Sequence, residues 1–559
     1  MEQENLDVLA CLPVAHPSTA PCWVGRAREI AVLEAALAAS CGGQGQLVFL
    51  EGEPGIGKTR MLHELTASVG HHGVQVLWGR CYEGEGAPPF WPWIQILRSY
   101  LTSSTPETLQ AEIGAGAAAL AQVIPEIRQR LADLPSLPAL EPAQERFRFF
   151  DSLTTFLKNA AQRRPLVLIF DDLHWADTPS LLLLQFVARE VPAAPLCIVG
   201  TYRDLALEPH HPLTHACREL ARIPTQQRLH LQGLSYHEVA HFLALTTGVA
   251  PAEPVVTSLH QRTEGNPFFL TEMVRLLMTE GGAAALCTPQ AESCLVLPQS
   301  VREAIGLRVR PLPPPCQHLL RLASVTGRTF DVETLARVTG TAHAQLVHTL
   351  DRAVAAQIIT PILPAARQYR FAHILFRDTL YADLPTEQRL CGHRQIGEAL
   401  EARWSCQDAL GHGPPDAMSV VGTDPILAVL AWHFFEAMGS NNEGAKALRY
   451  AVQAGVRATA MLAHEEAALH YQRALQSLIY TQPRDAVQRC ELLLALGSAQ
   501  MKAGDVPQAR STFLQAAHVA QSAEAPAYWH VLHSNSPTPA PRQHAAQRSA
   551  STPWRWHGG

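Results

Sequence analysis

Eight consecutive residues, Gly52-Glu53-Pro54-Gly55-Ile56-Gly57-Lys58-Thr59, have the types and spacing needed to hold a chain of phosphates. The glycines let the backbone curl so that successive N–H groups point inward at anionic oxygens. Lys58 is placed to reach the β- and γ-phosphates, and the Thr59 hydroxyl to ligate Mg²⁺. An apolar run, Leu47–Leu50, leads into the loop, and a helical pattern from Arg60 to Ser68 leaves it. The helix adds the positive end of its dipole to the same anion. Gly52 through Thr59, with Arg60 beyond them, form the phosphate-contacting set of a site for ATP or ADP with Mg²⁺.

A phosphate site of this kind needs an acid and a charge sensor. The run Leu166-Val167-Leu168-Ile169-Phe170 ends in Asp171-Asp172. A strand ending in acids delivers carboxylates to the edge of a sheet where ligands bind in open α/β folds. Asp171 is the expected Mg²⁺ acid, acting through water. Asp172 is positioned to orient or deprotonate an attacking water; the alternative is that it only caps or hydrogen-bonds the next turn. A third run, Cys197-Ile198-Val199-Gly200-Thr201-Tyr202, ends in Arg203. A guanidinium there can stabilise a γ-phosphate; the alternative is a surface ion pair with a nearby acid.

These residues need a scaffold. Between Trp23 and Leu234 short apolar runs (47–50, 74–78, 166–170, 196–201, 229–231) alternate with helical patterns. The first four show no polar alternation, as strands buried on both faces of a parallel sheet require. The 559 residues leave room for three or four domains. The expected organisation is a leader at 1–20, an α/β core at 21–234, a helical segment at 235–297, a mixed segment at 298–385, an all-helical region at 386–525 and a disordered tail at 526–559. In the mixed segment the pattern predicts a helix at Val301–Val309, a turn at Pro311–Pro315, and a strand pair near Ile358–Pro361 and Tyr369–Phe371.

Composition excludes other classes. A net charge of -6, with 47% hydrophobic and 17% charged residues, suits large cores and gives no overall pull toward nucleic acid. Twelve scattered cysteines without a CxxC pair read as reduced, buried thiols. The acidic start lacks the character of a secretory signal, and no apolar run is long enough to span a membrane. A cytoplasmic location is expected. No GxSxG elbow marks a hydrolase. His210, His211, His215 and Cys217 match no zinc spacing and read as a polar loop. Phe90-Trp91-Pro92-Trp93 reads as packing under a strand-to-helix connection.

The ordered set resembles the signal-transduction ATPases with numerous domains (STAND), within the AAA-like P-loop NTPases. The likeness is to bacterial predicted ATPases with an origin-recognition-type AAA module, as in large LuxR-type regulators and behind the cyclase domains of soluble adenylyl cyclases. It rests on Trp23-Val24-Gly25-Arg26-Ala27-Arg28-Glu29, the P-loop, Leu77-Trp78-Gly79-Arg80-Cys81-Tyr82-Glu83 and Phe170-Asp171-Asp172-Leu173-His174-Trp175-Ala176-Asp177. Gly200-Thr201-Tyr202-Arg203-Asp204, Gly265-Asn266-Pro267-Phe268-Phe269 and Tyr369-Arg370-Phe371-Ala372-His373 continue it. The fold implied is an α/β P-loop NTPase of AAA/STAND type with a parallel sheet, then a helical lid, a winged-helix-like region and all-α TPR-like repeats.

Several roles follow from the resemblance. Val24-Gly25-Arg26 looks like the family's opening strand beside the adenine. Pro267 resembles the lid proline that packs on the base, and Arg203 the first sensor arginine. His373 stands where related switches place a histidine on the β-phosphate of ADP; a buried structural histidine is the alternative. Leu493-x2-Leu496-Gly497 with Ala509-x3-Phe513 and Ala516 follows the tetratricopeptide template, with Gln500 at its tyrosine position. Ala467-x3-Tyr471-x2-Ala474 resembles the second helix of such a unit; an ordinary helical bundle is the alternative.

The implied function is an ATP-binding regulatory switch with slow Mg²⁺-dependent hydrolysis, a protein partner on the C-terminal repeats and nucleotide-dependent homo-oligomerisation. The alternatives are a repeat scaffold with structural nucleotide, a fragment of a DNA-binding regulator, and a motor ATPase. Direct DNA binding by this chain alone, cyclase activity and membrane insertion are not expected.

Overall fold

The computed structural model describes residues 24–69, 73–82, 86–131, 134–203, 211–281, 300–362, 367–409, 426–439, 443–482 and 485–522. The expected leader (1–20) and tail (526–559) lie outside them. The chain divides into two compact units, residues 1–483 and 484–559.

The first unit opens on a five-stranded sheet, entirely parallel. Its strands are β1 (Gln46–Gly52), β2 (Gln75–Arg80), β3 (Leu166–Asp171), β4 (Leu196–Arg203) and β5 (Gln226–His230), in the order β2-β3-β4-β1-β5. Every residue of β3, and Gln46 through Leu50 of β1, is buried. Unbroken apolar runs form central strands because helices cover both faces. One face packs Val48, Leu50, Val167, Ile169 and Val199 against Leu33, Met61, Leu62 and Leu65 of the helices Ala27–Cys41 and Lys58–Val69. On the other, Trp93 lies 4.7 Å from Phe170, ring to ring, and its indole N–H donates to the Ser180 carbonyl at 3.1 Å. Phe90-Trp91-Pro92-Trp93 is therefore packing, as its position beside a connection implied.

Three helices follow, Tyr236–Thr247, Glu253–Thr263 and Pro267–Gly281, around Val239, Leu243, Leu259, Leu270 and Met273. The next region begins with the helix Val301–Val309, at the bounds the sequence predicts. The expected turn at 311–315 is shorter: Pro314 and Pro315 start the helix Pro314–Thr326, because the first turn needs no backbone donor there. Helices Val332–Thr339 and His343–Ala355 then frame an antiparallel three-stranded sheet of β6 (Thr329–Asp331), β7 (Ile359–Pro361) and β8 (Gln368–Phe371), ordered β6-β8-β7.

The described residues that remain are mostly helical. Helices Gly444–Ala460 and His464–Thr481 form a hairpin in which a Cβ on Gly455 would come within 2.8 Å of the Tyr471 ring. Glu465 ties this hairpin to Arg146 of the helix Pro142–Arg163 at 2.8 Å. The second unit is a hairpin of Ala486–Ala503 and Val506–Ser522, where Gly497 lies under the Phe513 ring in the same way. Its Gln500 is buried and accepts from the Thr512 hydroxyl at 2.7 Å, so a polar group at this position is satisfied. Among the described residues no helix is long and apolar enough to cross a membrane.

Candidate nucleotide site

The strand order explains how distant residues meet. β4 lies between β1 and β3, so the carboxyl ends of all three open side by side. β1 delivers the loop 52–59, β3 delivers Asp171 and β4 delivers Arg203, which is in register with Gly52. Asp171 is 1% exposed, and the Thr59 hydroxyl lies 3.1 and 3.2 Å from its two carboxylate oxygens. A hydroxyl against a buried carboxylate is a hard oxygen set suited to Mg²⁺ held partly through water. The Lys58 ammonium donates to the carbonyls of Gly52 (2.7 Å) and Glu53 (2.9 Å), which hold it over the loop. Arg60 is placed on the following helix, its guanidinium 2.5 Å from Glu64.

Thr201 was not singled out from the sequence, yet it organises both acids. Its hydroxyl donates to Asp171 at 2.7 Å and accepts the backbone N–H of Asp172 at 2.8 Å. That contact helps to hold Asp172 in the left-handed region (φ 62), which few non-glycine residues adopt. Asp172 makes no side-chain cap on the turn Leu173–Trp175, while its carbonyl accepts the Trp175 N–H at 2.9 Å. Its carboxylate faces Arg328, at 3.4 Å, from the turn between Pro314–Thr326 and β6. Burial and the neighbouring Asp171 charge raise its pKa, and Arg328, Arg203 and Lys58 oppose that rise. The same turn is tied to the core by the Tyr82 hydroxyl, which donates to the Thr326 carbonyl at 3.3 Å.

Arg203 does meet an acid, Asp378 at 3.9 Å, but its side chain is 13% exposed and not on the surface. The opening strand expected at Val24-Gly25-Arg26 is absent. Gly25 (φ 72) and Arg26 (φ 66) both take left-handed geometry and turn the chain into the helix Ala27–Cys41. Val24 is buried, and Arg26 donates to the carbonyls of Ile56 (3.3 Å) and Gln232. These residues clamp the phosphate loop from the side.

The segment around Pro267 sits directly on the loop. Asn266 donates its side-chain amide to the Pro54 carbonyl at 3.0 Å, and the Phe268 N–H donates to the Gly55 carbonyl at 3.2 Å. Pro267 starts its helix between these two contacts. Gly55 has φ 84, and a Cβ there would lie 2.8 Å from the Phe268 Cβ and 2.9 Å from the Asn266 Oδ1, so only glycine allows the approach. His373 stacks on Phe268 with centroids 4.1 Å apart, and its Nδ1 accepts the Leu375 N–H at 3.3 Å. Burial, with Arg328, Arg203 and Lys58 nearby, holds its pKa down at about 3. The ring is thus neutral and one side chain removed from the loop. Replacing Asn266 with alanine removes the Pro54 bond and the Oδ1 that caps Phe268 and Phe269. The expected result is a loss of about 1–2 kcal/mol in stability by urea denaturation.

Among the described residues the histidine cluster shows other roles. His211 caps the helix Pro212–Leu220 by accepting the Leu213 N–H, Cys217 is buried, and His210 lies outside the described residues. Among the described residues no group of three or more His, Cys, Asp or Glu is arranged to hold a metal ion.

The match to a family model agrees with the sheet and loop. The AAA ATPase domain family matches residues 22–199. An uncharacterised protein of Rhizobium meliloti (strain 1021) is 23% identical over 381 residues, 64% of this chain and 35% of its own length. The chain thus spans about a third of that relative. Among solved structures, a STAND protein with a tetratricopeptide repeat sensor from Pyrococcus horikoshii is 14% identical, with a TM-score of 0.46 over 92% of this chain and 67% of its own. Cdc6p from Pyrobaculum aerophilum is 12% identical, with a TM-score of 0.32 over 68% of this chain and 97% of its own. An AAA ATPase domain implies nucleotide binding, typically with Mg²⁺, and Lys58, Thr59 and Asp171 are the residues that fit those ligands. Residues 22–199 carry an AAA ATPase domain built on a parallel P-loop sheet, and a mostly helical region follows it.

Proposed function

We propose that this protein is a nucleotide-dependent regulatory switch that binds ATP or ADP with Mg²⁺ and hydrolyses ATP slowly. In this reading residues 235–297 are the lid and 298–385 a winged-helix-like domain. The helices from 386 to 525 form TPR-like repeats that engage a protein partner. One observation carries the reading: elements from two later regions bear on the phosphate site itself. Asn266 and Phe268 bond to the backbone of the phosphate loop, and Arg328 pairs with Asp172. A ligand shifts a conformational equilibrium only through contacts that differ between the states. A γ-phosphate between Lys58, Arg203 and Asp172 changes the charge that Arg328 and Arg203 meet, so its presence alters how the later regions sit. Arg203 is the sensor in this scheme, Pro267 lies against the base and His373 relays through Phe268.

The test is the hydrodynamic size of the purified chain with Mg-ADP and with a non-hydrolysable ATP analogue. A change in compactness or in oligomeric state between the two is expected, and Arg203→Ala is expected to abolish it. Equal size in both nucleotides, or a change that survives Arg203→Ala, overturns the switch reading.

A further inference from the structure

The short turn Leu173–Trp175 leaves β3 beside Asp172 and carries a side chain that the site does not yet explain. Both ring nitrogens of His174 are buried, and neither has a hydrogen-bond partner among the described residues. An imidazole always presents polar atoms, so burying both without partners is unfavourable unless water or a ligand completes them. The ring is close enough to Arg203, Lys58 and His211 to feel their charges. Two of those three line the phosphate site.

From this placement we infer that His174 is a specificity residue for the terminal phosphate, donating its N–H to a γ-phosphate oxygen that ADP lacks. The inference rests on the nucleotide-site reading given above. A neutral imidazole has one donor and one acceptor. The phosphate oxygen satisfies the donor, and a water ordered between that phosphate and Asp172 satisfies the acceptor. Neutrality is enforced by the site: burial, with Arg203 and Lys58 alongside, lowers the His174 pKa to about 3. Before nucleotide enters, the ring therefore offers a directional donor without adding positive charge to the site. Its discrimination comes from geometry, while Lys58 and Arg203 supply attraction. Trp175, with its ring 5.4 Å away, restricts the imidazole from one side.

The test compares the full-length wild type with His174→Leu and His174→Asn. Calorimetric titration with Mg-ADP and with the β,γ-imido analogue of Mg-ATP gives the affinities. Thermal melting without nucleotide reports the fold. His174→Leu is expected to weaken the triphosphate about tenfold and leave ADP within about twofold, as loss of one bond to a charged acceptor predicts. Its melting temperature without nucleotide is expected to hold or rise, because two buried polar atoms are removed. A merely structural histidine would give the opposite sign. His174→Asn keeps a donor and is expected to recover part of the discrimination. Equal loss for both nucleotides, unchanged discrimination, or a lowered melting temperature in both variants overturns the assignment while the nucleotide site stands. A wild type that binds neither nucleotide overturns the site reading and the His174 assignment together.

Discussion

Replacing Lys58 with methionine is expected to weaken binding of Mg-ADP and Mg-ATP by about two to three orders of magnitude, because roughly two charge-assisted hydrogen bonds to phosphate are lost. Lys58 is 7% exposed, and its ammonium is already bonded to the carbonyls of Gly52 and Glu53. A buried cation is tolerated only when hydrogen-bonded, and these carbonyls supply that while holding it where phosphates must pass. Binding exchanges carbonyl acceptors for phosphate oxygens with little rearrangement, so most of the new interaction appears as affinity. Methionine matches the length of the side chain but leaves the Gly52 and Glu53 carbonyls without their donor. Its melting temperature without nucleotide is therefore measured beside the affinity, to show that the loop still folds. Calorimetric titration measures the effect. Affinity retained within tenfold, in a variant that melts like the wild type, contradicts the assignment of the loop.

Much of this site is legible because its parts are local. The loop 52–59 is contiguous, and the runs that end in Asp171 and Arg203 are unbroken apolar strands, which only a doubly covered sheet produces. β5 is less legible: Gln226–His230 is mostly polar because its residues are half-buried or exposed. Its expected position, 229–231, followed the apolar residues and overlapped only the end of the strand. The opening segment failed for a different reason. Val24-Gly25-Arg26 carries no pattern that announces two successive left-handed residues, and Arg26 adopts one because it bonds Ile56 and Gln232.

The residues the sequence left unassigned act across long separations. Thr201 matters because β4 inserts between β1 and β3, and strand order cannot be read from apolar runs. Asn266 was visible within Gly-Asn-Pro-Phe-Phe, but its bond to Pro54 spans 212 positions. Arg328 reaches Asp172 across 156 positions, from a turn with no motif of its own. Tertiary packing, not local propensity, decides each of these contacts.

The Asp172–Arg328 pair gives the second large effect. Asp172→Asn is expected to lower kcat for ATP hydrolysis by about 10²–10³, with KM little changed, as loss of a positioned proton acceptor predicts. The residue is suited to the task because Thr201 fixes its backbone, while Asp171 is the acid that the Thr59 hydroxyl meets. Asparagine preserves shape and the backbone contact, so a fall in kcat isolates the carboxylate. Arg328 holds one oxygen of that carboxylate at 3.4 Å. The two side chains are 31% and 25% exposed, so solvent weakens the pair to about 1 kcal/mol. Arg328→Ala is therefore expected to change kcat by only about fivefold, and upward, because the acid is freed to meet water. If Arg328 acts through Asp172, that change should vanish in the Asp172→Asn background, since coupled residues are not additive. A fall in kcat for Arg328→Ala that persists in the double variant points elsewhere: Arg328 then touches the transferring phosphate itself, and the turn before the small three-stranded sheet supplies part of the catalytic charge.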